Sequence, residues 1–253
     1  MNIIVPIKQV PDLVEELEID ASGIDLDRSS LKLKLNEFDD HALEEALILK
    51  EETGSTVTAI ALEAEDVDKI LFTAFAKGAD KIIKVTGLEN PSAHQAAQAM
   101  AEVIKGLSPD LVMTGVQAVD DRDGQIPVLL AHYLNIPHVS VVTSVKAEGG
   151  GVTVSKEYGG GLVAEFEAKL PLVVGVQAAR QSPRYVPVAK VRQVMKSATI
   201  EEVTAGSTSA AAGSSVKRFF KPEGGRGAEM LEGSAEEQAL KIIQTLKERG
   251  IIK

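Results

Sequence analysis

The sequence predicts an α/β fold: a doubly wound parallel sheet, an antiparallel strand section and a C-terminal arm. Three observations predict it. Short runs dense in Ile and Val recur between residues 2 and 115 without strict apolar–polar alternation, as strands covered on both faces require. Between them lie longer stretches whose apolar residues return every three or four positions, the period of an amphipathic helix. Strand and helix patterns alternate as far as Leu134, and from that order right-handed crossovers build a parallel sheet with helices on both faces.

Taken in order, residues 2 to 10 read as the central strand that starts the sheet. Residues 17 to 27 alternate at period two around Ser22-Gly23, the pattern of a small hairpin. Asn36 stands as an N-cap before a helix that turns Ala42, Leu43, Ala46 and Leu47 inward and stops at Gly54. A strand through Val57–Leu62 follows, then a helix with Val67, Ile70, Leu71, Ala74 and Phe75 on one stripe, closed by Gly78, then a strand over 81–85. Ser92 and Gln95 have capping-box spacing and open a helix whose small inward side chains permit close packing on a sheet. Asp110 to Gly115 is a short buried strand, and a helix begins near Gln125. Past Pro137 the segments 138–145, 152–156 and 162–168 are strands with Gly-rich turns and no helix between them, hence antiparallel, and 171–176 returns to the sheet. The α/β domain is therefore expected over 1–200, with its antiparallel segment at about 138–176. Residues 201–233, poor in large apolar side chains, read as a flexible linker, and 234–253 as an amphipathic helix that covers a surface on a partner subunit.

The totals exclude several functions. A chain of 253 residues with 44% apolar content buries a full core, and a net charge of −10 argues against nucleic acid and anionic lipid as partners. With no cysteine there is no disulfide, thiolate nucleophile or Cys-ligated metal. No run reaches membrane-spanning length and no leader pattern is present, so cytoplasm without membrane insertion is the expected setting. The four histidines lack metal-ligand spacing, and no nucleophile elbow, zincin or lysine-bearing phosphate-loop motif occurs. Gly159-Gly160-Gly161 reads as a hairpin connection. Asp39-Asp40 and Glu44-Glu45 read as a solvated helix face. A binding protein fits better than a catalyst.

The stretch from Gly115 to Ile126 is the candidate site. In a parallel sheet such a loop sits at the carboxyl ends of the strands, where free amides at a helix start hold phosphate. Spacing alone fits a nucleotide cradle and an ordinary βα connection with acidic caps equally well.

Five stretches resemble the beta subunit of electron-transfer flavoprotein, in the family's order. They are Val5-Pro6-Ile7-Lys8-Gln9-Val10-Pro11-Asp12, Asn36 and Phe38 with Ala42 to Ala46, Ala76-Lys77-Gly78-Ala79-Asp80, the Gly115 to Asp121 loop, and Lys156 to Gly161 running to Pro171 with Pro183-Arg184-Tyr185 beyond. The resemblance implies a Rossmann-like, adenine-nucleotide-binding fold and an electron carrier without bond-making chemistry of its own. It implies a heterodimer whose alpha subunit supplies most of an FAD site, while this chain holds AMP, or a second FAD in electron-bifurcating members. A stand-alone adenine-nucleotide-using enzyme of the same fold is the alternative. By position, the resemblance assigns nucleotide contacts to Pro6, Asn36, Phe38, Asp39, Leu62, Gly115, Val116, Gln117, Asp120, Asp121, Arg122, Asp123, Gly124, Gln125 and Ile126. It turns Leu13 and Phe38 toward the flavin and makes Val188 the anchor of a loop that docks flavin dehydrogenases such as acyl-CoA dehydrogenase, with a quinone oxidoreductase or similar acceptor downstream. The chain departs from the AMP-binding pattern at Gly124-Gln125-Ile126-Pro127, which lacks a hydroxyl for phosphate, and matches the bifurcating pattern no better.

Overall fold

A computed structural model of the chain describes residues 1–29, 31–206, 208–209, 215–222, 224–225, 227–228 and 230–253. It divides into two compact units, Met1–Lys217 and Arg218–Lys253.

The first unit opens with β1 (Asn2–Pro6), then pairs β2 (Gln9–Pro11) with β3 (Leu33–Leu35) in a small antiparallel ribbon. Next come α1 (Glu37–Thr53), β4 (Thr56–Leu62), α2 (Val67–Lys77), β5 (Lys81–Thr86), α3 (Ala93–Gly106), β6 (Leu111–Gly115) and α4 (Ile126–Leu134). They are followed by β7 (His138–Val142), β8 (Ser144–Glu148), β9 (Gly151–Glu157), β10 (Val163–Lys169), β11 (Leu172–Val176), α5 (Val188–Val194) and β12 (Glu201–Thr204). The main sheet has seven strands in the order β12-β5-β4-β1-β6-β11-β7, every pair parallel. A second, antiparallel sheet joins β8, β9 and β10.

Strand periodicity explains the layers. Ile3 and Val5 on β1 join Leu43 and Leu47 of α1 and Ile70 and Leu71 of α2 in one core. Ile4, between them, points the other way and joins Ala97 of α3 and Leu130 of α4 in a second. Successive crossovers run from β1 through β4 to β5 on one side, and then past β1 to β6 on the other. The sheet therefore changes direction between β1 and β6, and a crevice opens at their carboxyl ends.

Several expectations change at the level of elements. The strand expected over 2–10 stops at Pro6, because Lys8 turns its amide to Asp39 and β2 leaves for the ribbon. The hairpin at 17–27 is a single bridge between Ile19 and Leu26, its turn held by Asp20 accepting from the amides of Ser22 and Gly23. Residues 138–145 are two strands rather than one antiparallel strand. β7 lies parallel on the edge of the main sheet, the register shifts where Val141 takes φ 65°, and β8 then joins the antiparallel sheet. Glu201–Thr204, expected to open the linker, pairs with β5, helped by ion pairs from Lys81 to Glu201 and from Lys84 to Glu202. Ser207, Ala210–Ser214 and three later positions of that expected linker lie outside the described residues.

The second unit carries α6 (Ala235–Glu248), which starts with the expected capping box of Ser234 and Glu237 and has no buried residue. Among the described residues, no helix is long and apolar enough to cross a membrane.

Candidate functional site

The crevice at the switch point is a cavity of about 900 Å³. Its floor is built around one carboxylate. Asp39 Oδ2 accepts the amide of Lys8 at 2.8 Å and Oδ1 accepts the amide of Gly115 at 3.1 Å, so the first turn of α1 is tied to the ends of β1 and β6. Burial pushes Asp39 up to about 7, against the opposing pull of these amides and of Asn36. Gly115 is obligatory here, since a Cβ would sit 2.4 Å from Asp39 Oδ1 and 2.8 Å from the Asp39 amide nitrogen. Asn36 takes the N-cap position of α1 but does not cap it. Its Nδ2 donates instead to the Gln117 carbonyl at 2.9 Å, and its buried Oδ1, on a residue that lines the cavity, has no partner.

The acidic loop is neutralised from across the crevice. Lys8 Nζ lies 2.7 Å from Asp120 and 2.9 Å from Asp121; burial works against its charge, but the two carboxylates hold it above the ordinary lysine value. Asp121 also accepts the Asp123 amide at 3.1 Å. Both carboxylates are thus occupied within the chain. Arg122 and Gly124 adopt φ 54° and 64°, which turns the backbone into α4, and the amides of Gly124 and Gln125 have no acceptor among the described residues.

The structure brings most of the predicted residues together. Pro6, Asn36, Asp39, Leu62, Gly115 and Gln117 line the cavity, as do Asp120, Asp121 and the run Asp123 to Ile126. Val116, Arg122 and Phe38 do not line it, and Leu13 is exposed on the turn after β2. Val188 is the first residue of α5 and is 62% exposed. Lys8 was not among the predicted site residues, and its partners Asp120 and Asp121 lie 112 and 113 positions away in the sequence. Leu88–Pro91 and Met100, also unpredicted, form part of the wall. No cluster of three potential metal ligands occurs among the described residues.

The electron transfer flavoprotein domain family matches residues 24–208. The chain is 36% identical to the electron transfer flavoprotein subunit beta of Methylophilus methylotrophus, with 98% of each chain covered. It is 30% identical to that of Syntrophomonas wolfei, over 98% of this chain and 96% of that one, and 28% identical to that of Bacillus subtilis, over 98% of each. This chain belongs to the electron transfer flavoprotein beta-subunit family.

In this beta-subunit chain a further group of charges corrects the sequence reading. Glu44 and Glu45, expected on a solvated face, are 3% and 0% exposed. Arg184 Nε donates to Glu44 at 2.9 Å and Nη1 to Glu51 at 2.7 Å. Arg180 Nε donates to Glu45 at 2.8 Å and Nη1 to Glu52 at 2.8 Å. Burial alone pushes Glu44 up, but Arg184 outweighs it and holds the carboxyl below its ordinary range. Asp39 is likewise buried, and Asp40 pairs with the buried Lys77. Every residue of α1 from Ala42 to Leu49 is buried, so the helix is covered all round there, and acids at such positions need partners.

Proposed function

We propose that the chain acts as the beta subunit of a heterodimeric electron carrier, lending walls to an FAD held mainly by an alpha subunit and holding AMP in its own cavity. The observation that supports this best is the combination at the switch point of an unpartnered buried acceptor, Asn36 Oδ1, with the open amides of Gly124 and Gln125. A mononucleotide fits both: the amides donate to phosphate oxygens, and Asn36 Oδ1 accepts from a hydroxyl or amino group. Because Lys8 already offsets Asp120 and Asp121, the loop opposes a phosphate less than its composition suggests. Pro6, Leu62 and Ile126 supply apolar wall.

When bound, FAD supplies the one- and two-electron chemistry. This chain positions and excludes water, with Leu13 and Phe38 on the flavin side, and Val188 anchors a donor dehydrogenase of the acyl-CoA dehydrogenase kind. Electrons then leave to a quinone oxidoreductase or similar acceptor. Co-expression with an alpha subunit is expected to give a stable 1:1 yellow complex, while the chain alone carries little flavin. Mass spectrometry of nucleotide extracted from the complex is expected to find AMP beside one FAD. A second FAD in its place would overturn the AMP assignment, and nucleotide turnover by the isolated chain would overturn the carrier reading.

A further inference from the structure

We propose that His41, Glu44 and Glu45 of α1 are positioning residues for docking: they grip the backbone of residues 179–184 and thereby fix where α5 presents Val188. The inference rests on the reading of Val188 as the docking anchor.

Between the end of β11 at Val176 and the start of α5 at Val188 the chain has no helix or strand and buries no residue. Its path is therefore not set by core packing. Gln177 and Ala178 donate to the Val142 carbonyl at the end of β7, and beyond them the path is set by three amides. Ala179 donates to His41 Nδ1 at 3.1 Å, Arg180 to Glu45 Oε2 at 2.9 Å and Arg184 to Glu44 Oε2 at 2.9 Å. The three acceptors are spaced three and four residues from His41, so they share one face of α1. The two guanidinium groups then run along that face, Arg184 from Glu44 to Glu51 and Arg180 from Glu45 to Glu52, each bridging residues seven apart.

A merely stabilising ion pair would bind the arginine side chains and leave the loop backbone free. Here the same buried carboxylates accept both the guanidinium and the main-chain amide of each arginine, which fixes position and direction together. Glu45 also accepts the Val145 amide at 2.8 Å, so the grip is continuous with β8. Releasing the loop would take from the buried Glu44 its hydrogen bonds to Arg184 and leave the buried Glu45 only the Val145 amide, and that holds the arrangement closed. What the grip delivers is an exposed apolar group on α5 and its flanks, Tyr185, Val188 and Met195.

The absence of cysteine permits a direct test. A single Ala189→Cys substitution carries a nitroxide label in the alpha–beta complex, and its mobility is read by electron paramagnetic resonance. Unlabelled complexes give kcat and KM with an acyl-CoA dehydrogenase as electron donor. Glu44→Gln is expected to mobilise the label and raise KM at least five-fold, with kcat and FAD content unchanged. The double variant Glu51→Gln/Glu52→Gln, whose carboxylates are exposed, is expected to move both readouts the same way by less, and serves if Glu44→Gln does not fold. Ser92→Ala, which weakens α3 on the other face of the sheet, controls for lost stability and is expected to move neither. Unchanged mobility in the glutamate variants would overturn the grip. Raised mobility with an unchanged KM would overturn the docking reading beneath it, as a Val188→Ala variant of unchanged KM would independently.

Discussion

Asp39 is a buried acid whose partners are mainly backbone amides, and burial outweighs them. Its folded value of about 7 lies above the ordinary 3.8, so between those pH values the folded chain keeps a proton that the unfolded chain has lost. The stability due to this group is therefore fully present below about pH 4 and is lost as pH rises through 7. In Asp39→Asn that titration is gone. The stability of the wild type relative to the variant is expected to fall between pH 4 and 7 and level off above it, as measured by urea unfolding across the range. A difference that rises with pH would mean that the amides win. Gly115→Ala tests the same contact sterically. Its Cβ meets backbone as well as the Asp39 carboxylate, so no flexible side chain can yield. A loss of about 3 kcal/mol is expected by urea unfolding, at the upper end of overpacking effects.

At the scale of elements, α3 offers the plainest test of local sequence rules. Ser92 accepts the Gln95 amide while the Gln95 side chain accepts the Ser92 amide, and Ser92→Ala is expected to cost about 1 kcal/mol by urea unfolding. Elements of this kind were legible: α1 to α4 carry their period and their stop signals locally, and β4, β5, β6 and β11 are dense in apolar residues. The misreadings have physical causes. β12 is short and carries two acids, which read as loop until Lys81 and Lys84 on its neighbour are known. The split of β7 from β8 turns on Val141 in a left-handed conformation, where β-branched residues are rare, so no local signal announces it. Glu44 and Glu45 read as surface because their partners, Arg184 and Arg180, are 140 and 135 positions away. The cavity was legible because the turn chemistry around Gly124 is local. Lys8 was missed because its role depends on a loop that folds back from residues 120 and 121.

At the scale of the whole molecule the two units differ in what holds them. The first has two apolar cores on either side of its sheet. The second has a well-capped helix, α6, with Leu240, Ile242 and Ile243 exposed and no residue buried. A helix of this length draws most of its stability from packing an apolar face, and capping adds only about 1 kcal/mol. The free energy that fixes α6 therefore has to come from a surface, and the proposed heterodimer would supply one. Deleting residues 218–253 removes little buried apolar area but the whole of that face. The truncated chain is expected to melt within about 3 °C of the full chain, since losses well below 1 kcal/mol move a domain of this size by no more than that. Its complex with the alpha subunit is expected to weaken at least ten-fold, as read by sedimentation equilibrium. Equal loss on both measurements would mean that α6 belongs to the chain's own core stability and clasps no partner.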